Sequence, residues 1–357
     1  MKVSFVGKGG SGKTTLAALF ARHLAGTDPA DGGSPPLLAI DADINQHLGT
    51  ALGATEAEAA RLPTLGDHLP LIKEYLRGDN PRISSPAAMV KTTPPGRGSR
   101  LLPVDGDNPL YAAVVREVAG VRLAVTGPFG ADDLGVSCYH AKVGAVELLL
   151  NHLVDGPGEY VVVDMTAGAD SFASGLFTRF DATFLVCEPT LRSVAVYRQY
   201  VGHAREYGVR VHVVGNKVDD DADVEFLRQH VGADLLTWLT RSDYVRGAER
   251  GVPAPLHALE PANRAALDLL RATVDAQVRD WATFQRHAVE FHLRNAVAWA
   301  NERIGENLAD QVDPDFTPGP PIVSGLPVVS GLPDEVTRRT GTVSGPPVVS
   351  GSPAPAG

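Results

Sequence analysis

Gly7-Lys8-Gly9-Gly10-Ser11-Gly12-Lys13-Thr14 follows the pattern G-x-x-x-x-G-K-[ST] of a phosphate-binding loop, and its flanks are those the pattern needs. The apolar run Val3-Ser4-Phe5-Val6 before it suits a buried strand. From Thr15 to Leu24 apolar residues recur at helical spacing. Successive backbone N–H groups of such a loop form a concave anion nest, to which the following helix N-terminus adds partial positive charge. The nucleotide contacts expected are Gly9, Gly10, Ser11, Gly12, Lys13, Thr14 and Thr15. Lys13 would reach the β- and γ-phosphates, and the Thr14 hydroxyl would bind Mg²⁺. Lys8 is a flexible ammonium at the loop entrance. It points away from its own phosphates more naturally than toward them, and can cross a dimer interface to a partner's nucleotide.

Bulk properties narrow the function. A chain of 357 residues builds a large α/β core with room for appendages. Its formal net charge of −10 argues against broad nucleic-acid binding, which needs basic surface to displace counterions. No apolar stretch approaches the roughly 20 residues of a membrane helix. No signal-peptide pattern opens the sequence, and its two cysteines, Cys138 and Cys187, are too few for a disulfide scaffold. A reducing cytoplasm is the compartment expected.

Along the chain, residues 1–280 alternate strands and helices, the signature of a doubly wound, mainly parallel α/β sheet. Strands are expected at 2–6, 37–40, 122–125, 160–163, 182–187 and 209–214, with helices at 14–25, 142–153, 193–207 and 223–230. The Pro-, Gly- and Ser-rich stretch 78–109 reads as a long inserted loop or lid. Residues 264–308 are strongly helical, and 281–313 form a helical C-terminal extension. Its arginines are balanced by glutamates, so it lacks the net positive charge of a membrane-binding helix. Residues 314–357 repeat Pro-[Ile/Val]-Val-Ser-Gly and carry too few large apolar side chains to fold, so a disordered tail is expected.

Several strand ends carry chemistry. Leu37-Leu38-Ala39-Ile40-Asp41-Ala42-Asp43 places two carboxylates at a strand's C-terminal tip, the edge where open α/β sheets hold ligands. Tyr160-Val161-Val162-Val163-Asp164 is a second buried strand ending in Asp, and Gly168 follows close behind. Asp164 would hold the Mg²⁺ shell, and the Gly168 N–H would reach the γ-phosphate. Asn216 and Lys217 sit at a later strand end, where the Asn216 amide can read adenine N6 and N7. The same residues satisfy N-K-x-D through Asp219, whose carboxylate would accept from guanine N1 and N2. On residues alone both bases stay open.

Lys8-Gly9-Gly10-Ser11-Gly12-Lys13-Thr14 matches K-G-G-x-G-K-[ST], and the sequence resembles the "deviant Walker A" P-loop ATPases, which include MinD, ParA and CooC. The resemblance implies ATP rather than GTP and an ATP-dependent sandwich homodimer in which Lys8 contacts the opposite subunit's nucleotide. It also makes Asp43 the water-positioning aspartate of switch I, leaves Asp41 structural, and places Asp164 to Gly168 in switch II. Glu188-Pro189-Thr190-Leu191-Arg192-Ser193 is similar to a segment of the CooC-like branch, which drives metal insertion into a client protein. Cys138-x-His140 stands where that branch carries C-x-C. Paired across a dimer it would supply Cys₂His₂ to Zn²⁺ or Ni²⁺; the alternative is a small buried thiol beside an ordinary helix-start histidine. A positioning ATPase acting on membrane or DNA and a GTPase on the same fold are the competing functions.

Overall fold

The apolar run before the glycine loop is a middle strand of the sheet, β1 (Lys2–Gly7), and all six of its residues are buried. The structure is a computed structural model. It describes residues 1–26, 34–128, 139–168, 172, 175–252 and 254–319, with 322–323 and 326–327; 139–142 and those last pairs are described by backbone alone. After β1 come α1 (Lys13–Ala25), β2 (Leu37–Ala42), α2 (Leu48–Leu52), α3 (Glu56–Ala59), α4 (Leu69–Arg77), β3 (Leu102–Pro103), α5 (Pro109–Val114), β4 (Arg116–Val118) and β5 (Val121–Val125). There follow α6 (Tyr139–His152), β6 (Leu153–Val154), β7 (Tyr160–Met165), β8 (Ala182–Cys187), α7 (Leu191–Ala204), β9 (Val211–Val218), α8 (Asp221–Val231) and β10 (Leu235–Thr240). The last helices are α9 (Asp243–Glu249), α10 (Pro261–Asp275), α11 (Trp281–Asn295) and α12 (Asn301–Ile304).

Eight strands form one sheet in the order β10-β9-β8-β1-β7-β2-β5-β4. Every neighbouring pair is parallel except β4 with β5. Strands buried on both faces need helices on both, and their Val, Leu and Ile runs supply the apolar surface. On one face Leu16, Phe20 and Leu24 of α1 and Leu267 and Leu270 of α10 cover Val3, Phe5 and Phe184. The rings of Phe5, Phe20 and Phe184 lie 5.4–6.2 Å apart. Each buried ring contributes about 2–3 kcal/mol of apolar transfer. On the other face Val146 and Leu149 of α6, Tyr197 and Tyr200 of α7 and Leu227 of α8 cover Val6, Ile40 and Leu185. Among the described residues no helix is long and apolar enough to cross a membrane.

Two strands of this sheet lie outside the expected set. β4 is a short antiparallel edge, and β10 adds a parallel strand beyond β9. The strand expected at 209–214 begins later and continues to Val218, which puts Asn216 and Lys217 inside β9. The helical stretch is divided into α10 and α11, a π-type turn at Ala296–Ala300, and α12.

Residues 1–319 form one compact unit. Within it the 78–109 stretch is packed, not open: Ile83, Ala88, Met89 and Val90 are buried. Its polar groups reach the C-terminal helices. Thr93 Oγ1 donates to Gln311 (3.1 Å), Gln311 Nε2 to the Ala88 carbonyl (3.0 Å), and Arg97 pairs with Asp313 at 2.9 Å. α11 is also pinned at the opposite end of β1. Fully buried Lys2 pairs with Asp155 at 2.8 Å, and Arg279 bonds both Asp155 and Asp181. Burial, with Arg279 adding to it, pulls the Lys2 ammonium down to about 8. In the separate unit beyond residue 319, Ile322–Val323 pairs antiparallel with Leu326–Pro327. The other tail residues lie outside the described set.

His152, at the end of α6, is fully buried; its Nδ1 bonds the Leu148 carbonyl (3.0 Å) and its Nε2 has no partner. Burial holds its pKa down at about 4. The folded state therefore binds this proton less readily than the unfolded chain. His152 contributes stability in full above about pH 6.5, and loses it as pH falls toward 4. The loss reaches about 3 kcal/mol as an upper bound. Urea unfolding of the parent and of His152→Leu at pH 7 and pH 4.5 reads it. The variant should lose less stability between the two, and equal losses would remove His152 from the account.

Candidate nucleotide-binding site

Between β1 and α1 the chain turns through glycines in left-handed backbone. Gly10 has φ 79°, with open space where a Cβ would stand. Gly12 has φ 93°, and a Cβ there would lie 2.2 Å from Asn216 Nδ2. That close approach has a purpose, because Asn216 Nδ2 donates to the Ser11 carbonyl at 2.7 Å and ties β9 to the loop. The Ser11 N–H closes a turn onto the Lys8 carbonyl at 3.0 Å. The first N–H groups of α1 have no intrahelical acceptor, so the loop and helix start present donors to an anion. Thr14 and Thr15 stand in that first turn.

β2 and β7 are paired so that Asp41 faces Asp164 across the ladder. Asp41 is fully buried and accepts the N–H groups of Asp43 (3.1 Å) and Leu48 (2.9 Å). It organises the turn that carries Asp43. Burial, reinforced by Asp164, pushes its pKa well above the usual carboxylate range. Asp43 spans two partners: Oδ2 meets Lys13 Nζ at 3.2 Å, and Oδ1 accepts from Asn45 N (3.0 Å) and Nδ2 (2.8 Å). Asp164 is fully buried and neither oxygen accepts a well-formed hydrogen bond. Burial pushes its pKa up and Asp43 adds to the rise, while Lys13 and the Thr14 hydroxyl beside it favour the charged form.

A buried, orphaned carboxylate next to a hydroxyl fits a hard divalent cation. Among the described residues no group of three or more histidine, cysteine and carboxylate side chains is arranged to hold a metal. Mg²⁺ takes most of its remaining ligands from phosphate oxygens and water.

Lys8 turns across its own loop. Its Nζ donates to the Gly9 carbonyl at 2.8 Å and pairs with Glu188 Oε2 at 3.1 Å. Lys217, held at φ 58°, donates to the Gly10 carbonyl (2.6 Å) and pairs with Glu188 Oε1 (2.8 Å). Partial burial raises the Glu188 pKa, but the hydrogen bonds from Lys217 and Lys8 outweigh it and hold the carboxyl below its usual range. Gly168, at φ 81°, donates its N–H to the Gly7 carbonyl at 3.1 Å, so the segment after β7 rests against the loop. Asp219 pairs with Arg241 at 2.6 Å.

Lys8, Lys13, Thr14, Asp43, Asp164, Gly168, Asn216 and Lys217 thus converge on one end of the sheet, around the carboxyl ends of β1, β2, β7 and β9. Cys138 and the side chain of His140 lie outside the described residues. Glu188 and Arg241 were absent from the expected site. Glu188 had a signal, as a carboxylate at the end of a buried strand. Arg241 had none, because the strand it follows was not anticipated.

No protein-family profile matches the chain. The carbon monoxide dehydrogenase accessory protein CooC of Rhodospirillum rubrum is 28% identical over 252 residues, which cover 70% of this chain and 87% of CooC. An uncharacterized ATP-binding protein of Methanocaldococcus jannaschii is 24% identical over 253 residues, 70% of this chain and 88% of that protein. Among solved structures, a ParA family ATPase from Chlorobium tepidum superposes with a TM-score of 0.51 at 17% identity, covering 76% of this chain and 97% of its own. With its phosphate loop at the centre of a mostly parallel sheet, this chain is a P-loop ATPase of the MinD, ParA and CooC type.

Proposed function

We propose that the protein is an Mg-ATP-driven dimeric switch that supports maturation, or metal insertion, of a client protein. The observation carrying this reading is the convergence of two loop lysines, Lys8 and Lys13, with Asp43 and Asp164 at one sheet edge. Gly9 to Thr15 would cradle the phosphates. Thr14 and Asp164 would hold Mg²⁺, which screens phosphate charge and draws electron density from the phosphoryl group. Lys13 would stabilise charge on the transferring group, and Asp43, released from Lys13, would orient the attacking water. Lys8 would leave Glu188 and reach the partner subunit's nucleotide. Hydrolysis would then relax the segments at Asp43 and Asp164, and the dimer would reopen.

The client reading draws on the resemblance to CooC, an accessory protein of a metalloenzyme by its name, and on Cys138-x-His140. Two ligands per chain would require dimerisation to enclose Zn²⁺ or Ni²⁺. Light scattering on Asp43→Ala tests the switch, since this variant should trap ATP unhydrolysed. The expected mass with Mg-ATP is twice that with Mg-ADP, and metal analysis of the trapped dimer should find one Zn²⁺ or Ni²⁺ per pair. An unchanged mass in both nucleotides would sink the dimer; a metal-free dimer would sink the metal role alone.

A further inference from the structure

We propose that Arg241 sets the base preference of this site, by holding the Asp219 carboxylate away from guanine and turning the base-facing edge into a donor surface. The inference rests on the nucleotide-site reading above and adds the residue that chooses between purines.

β9 and β10 are paired up to Val218 and Thr240, so the residues that follow, Asp219 and Arg241, leave the sheet side by side. The Arg241 N–H reaches back to the Val218 carbonyl at 3.4 Å, and its Nε donates to Asp219 Oδ1 at 2.6 Å. The first two residues of the N-K-x-D run are already anchored to the phosphate loop, Asn216 on the Ser11 carbonyl and Lys217 on the Gly10 carbonyl. That anchoring fixes Asp219 relative to the loop. The chain therefore carries a complete guanine-reading run, docked on its phosphate loop, with its one base-reading carboxylate engaged elsewhere.

The chemistry of the two bases separates them here. Guanine offers N1–H and N2–H₂ as adjacent donors, which a free carboxylate accepts together. Adenine offers an acceptor at N1 and donors only at N6, so a free carboxylate would oppose the N1 lone pair. A guanidinium has donors and no acceptor. With Asp219 Oδ1 held by Arg241 Nε, the two carboxylate oxygens no longer accept together. The edge offers the second Nδ2–H of Asn216 and the terminal guanidinium N–H groups of Arg241, which complement adenine N7 and N1 and oppose guanine N1–H. Discrimination then comes from a feature set against the wrong base as much as from contacts to the right one. Stability does not account for the pair. Both side chains are more than half exposed, 62% and 53%, and such surface pairs hold folds only weakly.

The test is equilibrium titration of the full chain with fluorescent ATP and GTP analogues in Mg²⁺. The parent should prefer ATP. Arg241→Ala, a surface change that leaves the core intact, should improve the GTP-to-ATP affinity ratio by roughly tenfold or more, the scale of a bidentate base contact. Adding Asp219→Ala to that variant should erase the gain. An unchanged ratio in Arg241→Ala, a gain that survives the second substitution, or a parent that already prefers GTP would each overturn the inference while leaving the nucleotide site standing. A parent that binds neither analogue would overturn the nucleotide-site reading, and this inference with it.

Discussion

Lys8→Ala is expected to bind Mg-ATP within about fivefold of the parent and to turn it over at least about a thousandfold more slowly. The two halves of that expectation have separate physical grounds. Among the described residues the Lys8 ammonium bonds only the Gly9 carbonyl and Glu188, and its side chain is about a third exposed. Removing it orphans no buried group, since Glu188 keeps Lys217 as a partner. Nucleotide affinity and fold should therefore change little. Turnover differs because, in the proposed dimer, a cation delivered from a second subunit would act on charge that develops only in the transition state. Steady-state ATPase assays beside calorimetric binding separate the two effects. Normal turnover by Lys8→Ala would show that this ammonium plays no part in hydrolysis.

Lys13→Ala should do more damage and of another kind. Its Nζ is the buried cation beside Asp43, with Asp41 and Asp164 in the adjoining strands. Without it, ATP loses a phosphate partner, so binding should be lost at millimolar nucleotide and turnover with it. The resting protein should also weaken, by about 3 kcal/mol, because Asp43 would be left in low dielectric without its ion pair. Calorimetry with Mg-ATP and urea unfolding of the nucleotide-free protein read the two consequences. If Lys13→Ala still binds ATP as the parent does, the glycine loop is not where the phosphates sit.

The parts of this site that the sequence disclosed are those encoded locally. Strand, glycine turn, Lys-Thr and helix are contiguous, and each of β2 and β7 announces its carboxylate by ending an apolar run. Parts built by pairing distant segments were hidden. Glu188 acquires its role from Lys8 and Lys217, 180 and 29 residues away in the chain. Leu235-Leu236-Thr237-Trp238-Leu239-Thr240 sits at the sheet's margin with most of its residues half-buried, so it shows neither the alternation of a one-sided strand nor the continuous burial of a central one. Its place was decided by the free edge of β9, and Arg241 came with it. The 78–109 stretch looks loop-like because it is rich in Pro and Gly, while several of the polar groups that hold it belong to residues some 200 positions later.

That last separation has a consequence for how the protein is made. A chain emerging from the ribosome presents Val90, Thr93 and Arg97 long before Leu308, Gln311 and Asp313 have been synthesised. At about 5–20 residues per second the wait is on the order of ten seconds or more. During that interval Val90 lacks Ala296, Ala300 and Leu308, against which it packs, and Thr93 and Arg97 lack their polar partners. Pairings across so long a span are slow to nucleate, because chain entropy is lost before the contacts compensate. Folding of this ATPase should therefore be completed from its carboxyl-terminal helices backward. Ribosome-bound chains stopped near residue 280 should be readily cut by protease within 78–109, and chains released beyond residue 319 should resist.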